Sequence, residues 1–268
     1  ENLEQATILM NALAAKGIKA YPAFVSGAVK VWIGAYGTEE ETKAKITELQ
    51  PTLDGMTCQV IIPSATRVQV FVPGKEDICF VFDHTSGYLM LQPLAQEGVV
   101  PTVGINGVLY RGNVEFKRLT NSDMTVINKV DMEQYLYGVL PKEMGGSWPL
   151  EALKAQAVTA RTYAVGHMDK YKNYGFNLCP TDASQVYGGY KAEHSNCNRA
   201  VDETRGKVLT YNGKPAETFF FSTSGGHTEN VKNVWGGSIP YLTGVEDKYE
   251  PTEKSDRGIW TVKFTPQN

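Results

Sequence analysis

Glu143 stands in the short run PKEM, residues 141–144, between two stretches of helical periodicity, with Met144 and Trp148 close behind it. A carboxyl beside apolar side chains has its charged form disfavoured, so its pKa is expected to rise. A carboxyl that keeps its proton near neutral pH is what general acid catalysis requires. The plainer alternative is an ordinary exposed glutamate near a helix start. Lys154 and Arg161 lie seven residues apart on the second helical stretch and share a face. They could hold acetyl or carboxyl groups of a substrate, or simply form a solvated basic face. Arg161 sits among Ala157, Ala160 and Ala164, so it is expected to be partly buried and paired. SQVYGG, residues 184–189, offers Gln185 and Tyr187 ahead of a glycine turn. STSGGHTEN, residues 222–230, places Ser222, Ser224 and Gly225 after an apolar run. Hydroxyls and glycines there suit close backbone approach to a sugar, and equally a tight turn.

Other chemistries find less support. GxGxxG, the phosphate-binding P-loop, GxSxG and HExxH are all absent. The four cysteines, Cys58, Cys79, Cys179 and Cys197, include no CxxC. An even count suits two disulfides in an oxidising compartment, expected as Cys179–Cys197 and Cys58–Cys79. Cys179, His194 and Cys197 as metal ligands, or four buried free thiols, are the alternatives.

The elements that must position these residues read as follows. Residues 3–16 carry an apolar helical stripe that Gly17 ends. Strands are expected at 20–25 and 29–33, and a helix from Thr38 whose first turn is acidic. Short β-rich runs then follow, QVIIP, RVQVFVP, CFVFD and YLMLQPL, with further strands at 108–110, 113–118 and 124–128. DMEQYLYGVLP reads as a helix capped by Asp131 and stopped by Pro141. A longer helix starts near Pro149, with Ser147 as a cap, and runs to about Tyr171. The chain is then expected to be loop-rich to about 200, before strands at KVLTY, ETFFFS and WTVKF. The resulting fold class is α+β: a mixed, mostly antiparallel β core, a helical segment carrying the catalytic groove, and a small N-terminal α/β module.

Charge argues against one large class of partner. Lys+Arg is 26 against Asp+Glu 29, without the basic stripe of a nucleic-acid binder. With 42% hydrophobic residues the chain can build a core. It contains no apolar run of about 18 residues that would span a membrane. An export signal or membrane anchor is expected upstream of this sequence.

Several long motifs carry a resemblance. "YRGNVEF…MTVINKVDMEQYLYGVLPKEMGGSWPLEALKAQAVTARTYA", then SQVYGG, ETRGKVLTYNGKP, FFFSTSGGHTEN and VWGGSIPYL, closely resemble the stage II sporulation protein D family, which includes the amidase enhancers. They cover about residues 105–245. The resemblance implies a lytic transglycosylase that cuts peptidoglycan glycan strands stripped of stem peptides, outside the cytoplasm and without a cofactor. A non-catalytic, glycan-binding enhancer of an amidase is the second function it implies. The family's catalytic glutamate falls on Glu143, and its lysine and arginine of the long helix on Lys154 and Arg161. Zinc is associated with some members, and no ligand set for it aligns here. A lytic transglycosylase can work with one carboxyl, because the substrate's own 6-hydroxyl attacks the anomeric carbon. The nearest other acids in sequence, Glu133 and Glu151, lie on the flanking helices. Residues 1–52 resemble a sporulation-related repeat (SPOR) module, which binds denuded glycan. The expected division is therefore a partial SPOR-like module at 1–52, a β-rich linker or accessory region at 53–100, and a sporulation protein D-type catalytic domain at 101–268.

Overall fold

Asn2 opens the first helix, α1 (Leu3–Ala15), with a reciprocal capping box: its side chain accepts from the Gln5 N–H at 2.8 Å while Gln5 accepts from the Asn2 N–H at 3.3 Å. The structure, a computed structural model, describes residues 2–75, 77–118, 123–250 and 261–263. Strands β1 (Ala20–Val25) and β2 (Ala28–Ile33) form a hairpin. Its turn takes positive φ at both Ser26 and Gly27, which matches the right-handed strand twist. Thr38 and Glu41 make a second capping box on α2 (Glu39–Leu49).

The next two strands, β3 (Val68–Phe71) and β4 (Ile78–Asp83), join this hairpin. The sheet order is β2-β1-β4-β3, with β4 parallel to β1 and Phe24 opposite Phe82. Leu9 and Leu13 of α1 and Leu49 of α2 pack with Val31, Ile33 and Leu53 on one face. Tyr21, Ala23 and Val81 cluster separately. The alternation along β1 thus divides its side chains between two apolar clusters. QVIIP, expected as a strand, has no regular structure: β1 is already paired on both edges, and Ile61 and Ile62 stay exposed.

Residues 53–100 are not one segment. While β3 and β4 complete the N-terminal sheet, β5 (Leu89–Leu91) pairs with β8 (Asn113–Arg118) in an antiparallel sheet of order β5-β8-β9, where β9 is Met124–Lys129. A hairpin of β6 (Thr102–Ile105) and β7 (Val108–Arg111) lies between them in sequence. The sequence pattern does not announce β6.

Three helices then build the main core. Leu136, Val139 and Leu140 of α3 (Met132–Glu143), Leu153, Ala157 and Ala160 of α4 (Leu150–Gly166), and Cys197, Ala200 and Val201 of α5 (Ser195–Glu203) are all fully buried together. Alanines on α4 let its neighbours approach closely. α5 falls where loop was expected. Its polar sequence SNCNRAVDE hides a narrow stripe at Cys197, Ala200 and Val201, and His194 caps it by accepting from the Asn196 N–H. α4 stops at Gly166 rather than Tyr171, and Ser147 does not cap it. A two-residue hairpin, β10 (Thr210–Tyr211) with β11 (Lys214–Pro215), follows. The fold class is α+β with mostly antiparallel sheets.

The chain divides into two compact units, residues 1–216 and 217–268. In the second, the described residues include the short helix α6 (Val231–Trp235) and an isolated bridge between His227 and Glu246. ETFFFS forms no strand there, and of WTVKF only 261–263 lie among the described residues. No helix of the described residues is long and apolar enough to cross a membrane.

Candidate functional site

Pro141 does not stop α3. It sits in the last turn, where a missing N–H forfeits one backbone bond, and the helix continues to Glu143. Met144 then turns extended, its N–H still bonded to Leu140 O at 2.9 Å. Glu143 is therefore the last helical residue, and its side chain is half-buried. Burial pushes its pKa up, and a hydrogen bond from the Val186 backbone pulls the other way without cancelling that. The negative end of the helix dipole also disfavours an anion here. Among the described residues no cation pairs with it.

Val186 is presented to Glu143 by a strip pinned on both sides. Gln185, only 2% exposed, donates Nε2 to Ala160 O at 3.2 Å and accepts from Tyr135 Oη at 3.3 Å. Tyr187 donates its hydroxyl to Asn128 Oδ1 at 3.1 Å, and Gly188 N–H reaches Gly138 O at 3.0 Å. A side chain at Gly138 would put Cβ 2.5 Å from Tyr187 Cε2, so glycine is needed for this approach. Gln185 and Tyr187, expected to line the substrate, are inward-facing residues that hold the strip. Tyr135 feels both Glu143 and Cys179. Its hydroxyl is pushed well above the ordinary tyrosine range, first by burial and then by Tyr187, Tyr163, Cys179 and Glu143.

Arg161 is likewise internal, with 1% of its surface exposed. Its Nε lies 3.0 Å from Glu133 Oε1 and its Nη2 2.5 Å from Oε2. Nη1 also donates to Lys207 O at 3.1 Å, and Nη2 to Val201 O at 3.2 Å. Glu133 in turn accepts the Gly206 N–H at 3.0 Å. Arg161 is thus paired as expected but buried almost completely rather than partly, so it presents no donor to a substrate. Lys154 pairs with Glu151 at 2.8 Å and with Glu203 at 2.5 Å, bridging α4 to α5. Among the described residues neither forms an ion pair with Glu143.

Residues 120–211, which hold α3, α4, α5 and Glu143, match the family model described as stage II sporulation protein (SpoIID). Residues 120–211 are thus a SpoIID-family segment of this chain. It is 44% identical over 142 residues to an uncharacterized protein of Brachyspira hyodysenteriae, covering 53% of this chain and 38% of that one. It is 44% identical over 132 residues to the amidase enhancer of Bacillus subtilis, covering 49% of this chain and 17% of the relative. Stage II sporulation protein D of Bacillus subtilis is 35% identical over 156 residues, 52% of this chain and 46% of that protein. The matched region thus spans less than half the length of these curated relatives.

Ser222, Ser224 and Gly225 lie in the second unit. Ser224 Oγ donates to Asp247 Oδ2 at 3.0 Å and to Glu250, which also accepts from Thr223. Gly225 takes a left-handed φ of 64°. Within its unit this loop is a turn closed onto two acids, and Ser222 remains exposed.

All four cysteines are free, so neither expected disulfide forms. Cys197 is turned into the SpoIID helix core, towards Met144 O. Cys58 packs against the α1 cluster, whereas Cys79 is the extra residue at the β3–β4 bulge and is exposed. Among the described residues no His, Cys, Asp and Glu converge for a metal, so Cys179, His194 and Cys197 form no ligand set. Cys179 Sγ lies 3.4 Å from Ser184 Oγ, 3.4 Å from Thr181 Oγ1 and 3.6 Å from Tyr171 Oη. Burial pushes this thiol up, but those hydroxyls stabilise the thiolate more and bring it down to about 7. Burial alone pushes Cys197 up. At pH 7, iodoacetamide should modify Cys179 ahead of the exposed Cys79, and Cys197 only on unfolding. Peptide mapping by mass spectrometry checks this; a non-reduced peptide joining Cys179 to Cys197 would contradict it.

Proposed function

We propose that this protein cleaves the MurNAc–GlcNAc backbone of peptidoglycan as a lytic transglycosylase, with Glu143 as the single acid and base. The observation that carries this reading is a half-buried carboxyl with a raised pKa and no cationic partner among the described residues. Protonated Glu143 donates to the glycosidic oxygen as its bond to C1 of MurNAc breaks, freeing the 4-hydroxyl of GlcNAc. The 6-hydroxyl of the same MurNAc then bonds to C1 and returns its proton to the carboxylate. The product is a 1,6-anhydro ring, no water is consumed, and the acid is regenerated. Hydrolytic glycosidases generally need a second carboxylate. The two acids nearest in sequence are engaged elsewhere, Glu133 with Arg161 and Glu151 with Lys154. That supports a one-carboxyl mechanism.

Denuded strands are the proposed substrate, and the N-terminal sheet with α1 and α2 is a proposed SPOR-like module for holding them. Peptidoglycan lies outside the cytoplasmic membrane, so the reading requires export. A second reading, a non-catalytic enhancer that binds glycan and stimulates an amidase, is favoured by the 44% identity to a protein named amidase enhancer. Mass spectrometry of denuded strands incubated with the purified protein separates the two. Anhydro-muramyl ends are expected. Their absence, with stimulation of an added amidase, would establish the second reading instead.

A further inference from the structure

Trp148 lies five residues beyond Glu143, in the connection from α3 to α4, and is 55% exposed. Leaving so large an apolar ring in water forgoes substantial burial energy. The ring is nonetheless on a well-anchored turn. Its backbone N–H bonds to Gly145 O at 3.1 Å. The indole edge rests over Gly145, where an added Cβ would meet Cδ1 at 3.6 Å and Nε1 at 3.7 Å. His194 packs so closely on Gly146 that a Cβ there would lie 2.2 Å from Nδ1. Asn196 Nδ2 donates to Gly146 O at 3.0 Å, and Pro149 then leads into α4. The start of α5 therefore fixes the turn that carries the indole. Val186, whose backbone bonds to Glu143, adds a second exposed apolar side chain, 37% exposed.

We propose that Trp148 is a binding residue, a stacking platform for a pyranose ring of the glycan beside the bond that Glu143 cleaves. One face of a β-linked amino sugar presents axial C–H bonds that carry slight positive charge, and the indole face is negative. The ring is rigid, so little conformational entropy is lost when a sugar settles on it. Its Nε1–H can donate to a hydroxyl or an acetamide oxygen. The inference rests on the reading of Glu143 as acting on glycan.

The test uses the full chain with Glu143→Gln as parent, titrated with chitohexaose and with denuded glycan strands by calorimetry. Adding Trp148→Ala should weaken binding about tenfold or more, as for an aromatic anchor. Trp148→Tyr should restore part of it, and melting temperatures should not move. In Trp148→Phe the change in tryptophan fluorescence on binding should be lost although the other tryptophans remain. Unchanged affinity in Trp148→Ala, or no binding by the parent to either probe, overturns the platform. Weaker binding in Trp148→Ala, together with a wild type that releases no anhydro ends, would leave the platform standing and remove the catalytic reading alone.

Discussion

Glu143→Gln is expected to abolish release of anhydro-muramyl ends while the protein still folds and binds strands. General acid–base catalysis contributes about 10²–10⁴-fold, roughly 3–5 kcal/mol of barrier. Glutamine keeps the shape of the side chain and can engage the Val186 backbone, but it cannot cycle a proton. The raised pKa also fixes the sign of two pH effects. Catalysis starts from the protonated acid, so cleavage should fall as pH rises through the folded-state pKa. For stability, the folded protein holds this proton more tightly than the unfolded chain. Between the ordinary glutamate pKa of about 4.3 and the raised value, stability is lost as pH rises. The amide of the Glu143→Gln variant has no such proton to lose. That variant should therefore be at least as stable as wild type at pH 7, with the difference closing on acidification. A variant that releases anhydro ends at the wild-type rate would rule the mechanism out.

Arg161→Ala is expected to have the largest effect on stability. It removes the partner of Glu133 inside a core where both side chains are almost fully covered. Breaking one half of a buried pair costs about 3–5 kcal/mol, because the remaining charge is left without compensation. In a unit of this size that lowers the melting temperature by roughly 6–20 °C. The Gly206 N–H alone cannot satisfy Glu133, and the Lys207 carbonyl loses its bond from the guanidinium, whereas Val201 O still accepts from the Thr204 N–H and hydroxyl. Replacing both partners, Glu133→Leu with Arg161→Met, should recover much of the loss, since two apolar groups leave no orphaned charge. Denaturant melts of the two singles and the double measure this. A substrate-contacting Arg161 would behave differently: stability would hold and glycan affinity would fall. Lys154→Ala should change stability little, because its ion pairs are at the surface.

Much of this protein is decided by residues close together in the chain. The boxes Asn2–Gln5 and Thr38–Glu41 start α1 and α2, and Asp131 starts α3 by accepting from the N–H groups of Glu133 and Gln134. The apolar periods of α3 and α4 are legible in the same way, and so is Glu143 at their junction with apolar neighbours. The direction of its pKa shift is expected from those neighbours, and in the structure burial is what raises it. Other features depend on partners far away in sequence. β3 and β4 join the first sheet only because β1 offers an open edge for parallel pairing, which no local pattern announces. α5 is too polar for its propensity to reveal it, and it folds because three small apolar positions meet α3 and α4. Pro141 reads as a stop, yet one missing bond in a last turn is outweighed by the packing of that helix. The roles of Arg161, Gln185 and Tyr187 were not legible, since the type of a polar residue states what it can bond and not what will face it. Glu133 lies 28 residues from Arg161, and Tyr135 lies 50 from Gln185. The cysteines follow the same logic: an even count allows pairing, but the direction each thiol faces is set by the packing of whole elements, and here it keeps them apart.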